Sequence, residues 1–504
     1  MLRCRTVFAS IFLLTLPACA IDTADPQTSE DELQSATGKW APPVDLPVYA
    51  VHASLLPTTG NVLFYSGDAQ IGLPLESFVW DPSTGTTTRQ TFDENLFCSG
   101  LSLLDDGRVF VIGGAEDLGV GIASAHIFDP ATSKWTKKAT MRMPRWYPTA
   151  NKLADGRILA TSGRGGESSV EVYDPKTDQW RIVDGIKHTF DEYYPSLHLL
   201  PTGELFNSGT GWEQKKTAPT GLIKLASATR GSWKDFGQQQ FPDRQEGAAV
   251  LSIDTTTSPP KTSVMVIGGG LSDSRNTVET IDLTNLGAAP VWKRAPDLTF
   301  GRTNVSGVML PNGTTLAIGG QTKGKKEKEP GVVLTPELFD PVANTWTKQA
   351  TMKKPRQYHS VAVLLPDGRV VAAGGINPAI ASDKEKAGDQ FNMEIFSPPY
   401  LFAGKRPVVT SNPASVTYGG TADIGVDVAV TEIASVTLVS PQAVTHHTDG
   451  DQRFVRLKVV GSAGGKLQVA MPANGNIAPP GFYMLFAVNK KGVPSIGKFV
   501  HIGK

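Results

Sequence analysis

Cysteine is scarce in this chain of 504 residues: there are three, Cys4, Cys19 and Cys98. The first two fall in an expected leader, which leaves Cys98 as the solitary thiol of the exported part and excludes an internal disulfide there. Such a thiol is reactive or otherwise modified, unless it is simply a small buried hydrophobe. Net charge is lacking too, with 48 Lys and Arg against 48 Asp and Glu. Without a basic excess, nucleic acid and anionic membrane surfaces are excluded as partners. Histidine is sparse, at eight residues, so places where histidines cluster carry weight.

Long apolar runs are also missing. Val7 to Leu16, preceded by Arg3 and Arg5, is too short to span a bilayer and reads as a secretory signal over residues 1–20. Leu16-Pro17-Ala18-Cys19 has the form of a lipobox, in which Cys19 is lipidated, while Ala18-Cys19-Ala20 equally fits an ordinary cleavage site. The expected location is therefore outside the cytoplasm, as a bacterial outer-membrane lipoprotein or a secreted protein. Any membrane attachment is confined to that lipid. Residues 21–38, acidic and rich in Ser and Thr, read as a flexible tether.

What is abundant is turn chemistry, with 51 Gly and 36 Pro spread along the chain. Hairpin glycines recur at Gly60, Gly107, Gly156, Gly203, Gly313 and Gly368, each followed by an apolar strand. A further copy turns near Pro259 to Lys261, giving seven units of roughly fifty residues. The second half of a unit is legible in Phe128-Asp129-Pro130 to Trp135, Tyr173-Asp174-Pro175 to Trp180 and Phe339-Asp340-Pro341 to Trp346. Four short strands per unit follow, and units stacked radially cover one another's faces. The glycines are thereby explained by turns and close packing, not by phosphate binding. The segment around Trp40 is expected to close the last unit, and residues 404–504 read as a small sandwich. The expected fold is all-β: a seven-bladed kelch-type β-propeller over 39–403, followed by an immunoglobulin-like β-sandwich over 404–504.

Cys98, Tyr147 and His359 each lie nine residues before their hairpin glycine. If the units are structural copies, these side chains stand at one level around one axis, with Tyr358 beside His359. Copper accepts both phenolate and imidazole. The sandwich offers Thr445-His446-His447, of which His447 reads as solvated. Tyr194 occupies the same phase, so phase alone does not make a ligand. Glu246 and Asn304 occupy comparable loops, each two residues after an arginine, Arg244 and Arg302. They either line a substrate pocket or bond one another and the backbone.

The phrases Phe97-Cys98, Arg145-Trp146-Tyr147-Pro148, Arg356-Gln357-Tyr358-His359, Pro398-Pro399-Tyr400-Leu401 and Thr445-His446 with Asp451-Gln452-Arg453 resemble the copper-radical oxidases, galactose oxidase and especially glyoxal oxidase. The resemblance covers about residues 40 to 504, including an early-set domain at the C-terminus. It implies copper held by Tyr147, His359 and His446 with Tyr358 axial, and a thioether between Cys98 and Tyr147 whose ring carries a tyrosyl radical. Tyr147, Cys98 and Tyr358 are then catalytic. Arg145, Trp146, Tyr194, Glu246 and Arg302 are the candidate substrate contacts. The implied partners are dioxygen and a small-molecule or carbohydrate substrate, oxidised at a primary alcohol or an aldehyde with release of hydrogen peroxide. One departure stands out: Gly165 lies where galactose oxidase stacks a tryptophan on the modified tyrosine, so Trp146 or Phe97 is expected to shield it.

Two other classes fit the repeats alone. A non-catalytic propeller could bind carbohydrate or protein on the cell envelope, and a structural envelope protein could have lost its metal site. Both require an unmodified Cys98.

Overall fold

A computed structural model describes residues 26–66, 74–117, 119–187, 193–212, 220–270, 273–287, 290–322, 331–376 and 390–503. The expected signal segment and Cys19 lie outside the described residues. Each repeat folds as its pattern requires. In the second unit the strands Gly100–Leu103, Val109–Ile112, Ala125–Asp129 and Lys134–Lys137 pair antiparallel in that order. Their first hairpin turns at Gly107, whose φ of 85° lies in the left-handed region that favours glycine. Asp129 closes the next turn by accepting the Ala131 N–H at 2.9 Å. Trp135 then packs on Phe128 and donates to Ser77 Oγ of the preceding unit at 2.9 Å. Trp180 and Trp346 likewise reach Ala139 O and Pro296 O, so the outer strands are tied to their neighbours.

Among the described residues seven four-stranded units of this kind occur, and inner strands of successive units pack on one another. The seventh is completed by the start of the chain, where Lys39–Trp40 pairs antiparallel with Asn392–Ser397 and sets Trp40 opposite Phe396. This is the closure expected for the Trp40 segment.

Four arginines are buried inside the units and paired there: Arg145 with Glu171, Arg244 with Glu279, Arg302 with Glu337 and Arg356 with Glu394. Each carboxylate lies on the third strand of the arginine's own unit, and each guanidinium also bonds backbone carbonyls, such as Ser162 O and Gly166 O for Arg145. Two expectations are corrected here. Arg145 and Arg302 do not face substrate, because burial without a partner would be prohibitive and their Nη groups are committed to carboxylates and carbonyls within the blade. The tether is also not wholly irregular. Pro26–Thr37 is an α-helix, ended by Gly38 at φ 69°, whose N–H donates to Gln34 O at 2.8 Å.

The C-terminal part is a sandwich of two sheets. One contains Ser415–Thr417, Ile433–Val439, Phe454–Leu457, Gly481–Asn489 and Lys498–Gly503. The other contains Val409–Ser411, Thr421–Val426, Val459–Ala463 and Lys466–Ala470. Inward residues such as Ile424, Leu438, Val469, Leu485 and Val500 fill the space between them. The sandwich is joined to the propeller by main-chain pairing at two places. Phe454–Arg456 runs parallel to Ser252–Asp254 of the fifth unit, and Ala443–Thr445 pairs antiparallel with His52–Ser54 of the first. The second contact carries His446 to the axis.

Candidate redox and metal centre

Six of the seven blades each send one residue to the axis with its backbone bent the same way. Cys98, Tyr147, Tyr194, Glu246, Asn304 and His359 all have φ between 43° and 66°. Left-handed backbone is costly for residues with a Cβ and persists only where the surroundings enforce it. Here neighbouring blades enforce it through main-chain bonds. The Tyr147 N–H donates to Cys98 O and the Tyr194 N–H to Tyr147 O, both at 2.9 Å, while the Asn304 N–H donates to Glu246 O at 2.8 Å. The bend delivers the side chains to one face, which confirms the common level read from the hairpin phase.

The sandwich supplies the remaining group on a hairpin. Thr445 pairs with Thr448, so His446 and His447 form its two-residue turn, with φ of 48° and 62°. Such a turn usually takes Asn-Gly, and two histidines at positive φ mark a place where local preference yields to a site. His447, expected to be solvated, is in fact buried, with its N–H donating to Ser360 O at 2.9 Å.

These elements bring five groups together. Cys98 Sγ and imidazole nitrogens of His359 and His446 lie within 4.8 Å of one another. Cys98 Sγ is 3.7 Å from His446 Nε2, and the Tyr147 and Tyr358 hydroxyls are hydrogen-bonded. The His359 and His446 ring centroids are 4.4 Å apart and nearly perpendicular. Burial raises the phenols of Tyr147, Tyr358 and Tyr194 well above their usual range, and the nearby Cys98 adds to the effect. Both hydroxyls of the Tyr147–Tyr358 pair are therefore protonated in the metal-free protein.

The donor set fits a copper ion: two phenols, two imidazoles and a polarisable sulfur converging at one point, with Tyr358 half-buried and the others buried. The imidazoles are also oriented for ligation. His359 Nδ1 bonds Tyr49 Oη at 3.2 Å, and His446 Nδ1 bonds Thr445 Oγ1 at 2.7 Å, the kind of outer contact that fixes a ligand's tautomer. Sequence reasoning missed both orienting hydroxyls. Tyr49 precedes the first repeat and has no phase to betray it, whereas Thr445 was marked only by adjacency.

Above the cluster a shallow cavity is lined by Tyr147, Tyr194, Trp212, Glu246, Tyr358 and His446, among others. Tyr194 and Glu246 therefore stand where substrate contacts were expected. Glu246 also accepts from Asn304 Nδ2 at 2.8 Å, the mutual bond weighed for that pair, while Asn304 is not among the residues lining the cavity. Trp146 does not line the cavity. It packs nearly perpendicular to Tyr147, ring centroids 4.5 Å apart, rather than stacked on it. Phe97 packs instead on His359 at 5.3 Å and does not shield Tyr147. Tyr193, Tyr194 and Trp212, with ring centroids 5.0, 4.9 and 6.2 Å away, complete an aromatic collar that the sequence did not announce. At Gly165 a Cβ would lie 2.7 Å from Pro144 O, which explains why no stacking ring starts there.

A propeller capped by a sandwich whose hairpin completes a phenol, imidazole and thiol cluster defines an oxidoreductase-type centre. Two family descriptions match the chain: glyoxal oxidase N-terminus over residues 73–400 and galactose oxidase-like early set domain over 406–502. Galactose oxidase of Gibberella zeae is 30% identical over 93% of this chain and 71% of its own length. Aldehyde oxidase GLOX of Vitis pseudoreticulata is 30% identical over 81% of this chain and 82% of its own. A solved fungal alcohol oxidase of the AA5 family, in complex with copper, superposes with a TM-score of 0.80 at 26% identity, covering 93% of this chain and 100% of that one. The chain belongs to the glyoxal oxidase and galactose oxidase family.

Proposed function

We propose that this protein is a copper-dependent oxidase that takes two electrons from a primary alcohol or a hydrated aldehyde and passes them to dioxygen, giving hydrogen peroxide. The observation that carries this reading is the convergence of Tyr147, Tyr358, His359, His446 and Cys98 on one buried point. His359, His446, Tyr147 and Tyr358 would hold the copper. When bound, the metal supplies one of the two oxidising equivalents and the Tyr147 ring the other.

The chain's own groups then have separable tasks. Tyr358 accepts the substrate hydroxyl proton, since a base need only lie within hydrogen-bond reach of the proton it takes. Oxidised Tyr147 takes the hydrogen atom from the same carbon and returns to a phenol. Cys98, joined to the Tyr147 ring, donates electron density that eases its one-electron oxidation. Forming that thioether removes the thiol hydrogen and one ring hydrogen, two electrons and two protons in all, which reduce one dioxygen to peroxide. Tyr194 and Glu246 contact the substrate from the cavity wall. For an alcohol the balance is RCH2OH and O2 giving RCHO and H2O2. The enzyme works outside the cytoplasm, and attachment through lipid on Cys19 is the finer form of that proposal.

Aerobic copper loading should lower the intact mass by two hydrogens, block alkylation of Cys98 and start peroxide production. Full alkylation of Cys98 after that treatment overturns the reading. Tyr147→Phe should keep the fold by circular dichroism and lose peroxide production by about 1,000-fold or more, the scale of removing an essential catalytic group.

A further inference from the structure

The fifth blade is built longer than the blade that follows it. Its two inner strands, Ala248–Asp254 and Lys261–Ile267, have seven residues each, whereas Ser306–Met309 and Thr315–Ile318 of the sixth have four. The sixth blade covers Ala248 and Val250, where a Cβ on Gly307 would lie 3.0 and 3.1 Å from their side chains. The rest of the strand runs on beyond that cover.

Strand alternation decides what the overhang presents. Leu251 and Ile253 turn into the core shared with the sandwich, and Ser252 and Asp254 turn the other way. Register continues the rows: Ser252 stands opposite Ser263, Asp254 opposite Lys261, and Met265 opposite Thr280. The sandwich extends the same wall, since Phe454 pairs beside Ser252 and Arg456 beside Asp254. With the sixth-blade turn at Asn312 and the sandwich strand at Ser435, the overhang lines a groove of about 600 Å³. Sites for small ligands span roughly 300–1,000 Å³. The groove lies at the hairpin end of the blades, whereas Glu246 precedes the other end of the same strand, roughly 20 Å away at about 3.3 Å per residue.

Its lining narrows the ligand. Ser252, Ser263 and Thr280 are half-buried, and their hydroxyls have no hydrogen-bond partner among the described residues. Met265 and Phe454 place apolar surface beside that row. Charges of both signs, Asp254 with Lys261 and Arg456, stand toward the hairpin end, so the groove presents no single-sign field to an ion. Neutral hydroxyls beside apolar faces match a sugar ring, which carries donors and acceptors around its rim and C–H groups on its faces.

We propose that this groove is a second ligand site, separate from the redox centre, and that it holds a neutral oligosaccharide. The hydroxyls of Ser252, Ser263 and Thr280 bond those of the sugar, and Met265 and Phe454 pack on its C–H faces. Propeller and sandwich both wall the site, so occupancy stabilises their junction. The site requires neither copper nor turnover.

Cellotriose, maltotriose and mannotriose are suitable neutral probes. At least one should bind the copper-free protein with a Kd of about 1 mM or tighter by calorimetry and raise its thermal midpoint. Failure of all three overturns the proposal. The double variant Ser263→Ala, Thr280→Val should weaken that binding by about tenfold, as two lost hydrogen bonds imply, and leave copper stoichiometry and peroxide production unchanged. In the unaltered copper-free protein, saturating trisaccharide should slow sulfoxidation of Met265 by added hydrogen peroxide by about fivefold or more. Binding that the double variant does not weaken, or that leaves Met265 unprotected, lies elsewhere on the molecule and overturns the proposal. Tighter binding of trigalacturonate, an anionic counterpart, overturns it as well.

Discussion

At the scale of single residues, the site consists of side chains held where they would not settle alone. Tyr147 and Tyr358 are phenols kept protonated by desolvation and by the nearby Cys98, and their hydroxyls bond one another. A metal that takes their oxygens must displace their protons, so affinity should rise with pH, by about tenfold per unit for each proton released. Copper titrations by calorimetry in buffers of different ionisation enthalpy will count those protons. Tyr147→Phe should lower the count by one. The hairpin-glycine phase located Cys98, Tyr147, Tyr194, Asn304 and His359 from sequence. It could not show that their backbones are left-handed, because Cys, Tyr and His carry no mark of a conformation that tertiary bonds impose on them.

At the scale of elements, the hairpin Ala443–Asp449 does most to complete the centre. Asp449 within it is half-buried, and desolvation, with the charge of Asp451 next, raises its carboxyl to about 8. A carboxyl raised above its usual range contributes stability that is fully present below about pH 4 and is lost as pH climbs toward 8. Urea midpoints should therefore fall between pH 5 and 8. Asp449→Asn, which cannot ionise, should flatten that slope and leave the variant the more stable protein at pH 8. The hairpin's two-histidine turn was legible only as a dense pair of donors. Its geometry was not, since the turn type depends on Thr445 facing Thr448 across a strand pair. The arginine assignments erred for a comparable reason. A charged residue near an axial loop suggests a pocket until its partner is seen, yet Glu279 and Glu337 each follow their arginine by 35 residues, a recurrence that would have revealed the pairing.

At the scale of the molecule, sandwich and propeller are fastened by a short segment, Asp451-Gln452-Arg453. Asp451 accepts Ser102 Oγ at 2.5 Å and the N–H groups of Leu103 and Lys152 at 3.1 and 2.9 Å, spanning the second and third blades. Gln452 takes the Leu251 N–H at 2.6 Å, and Arg453 donates to Leu199 O at 2.6 Å. Asp451→Ala strips partners from two buried backbone donors and should cost about 3 kcal/mol or more. It should also lower copper stoichiometry, because the hairpin is seated by the same segment. Glu337→Ala should cost a similar ~3–5 kcal/mol by leaving Arg302 charged and buried, with copper stoichiometry unchanged in the folded fraction. Denaturant midpoints and metal analysis on the same samples separate the two effects. The propeller itself was readable because each blade repeats its turn and its tryptophan, whereas this fastening occurs once and has no period.

The last blade needs Lys39–Trp40 from the beginning of the chain, and the last ligand comes from position 446, after every blade has been made. Ribosomal order therefore withholds the redox centre until synthesis is nearly finished. A nascent or clipped polypeptide ending before residue 440 lacks His446, so the cluster of phenols, imidazoles and thiol is incomplete until the C-terminal sandwich has been made.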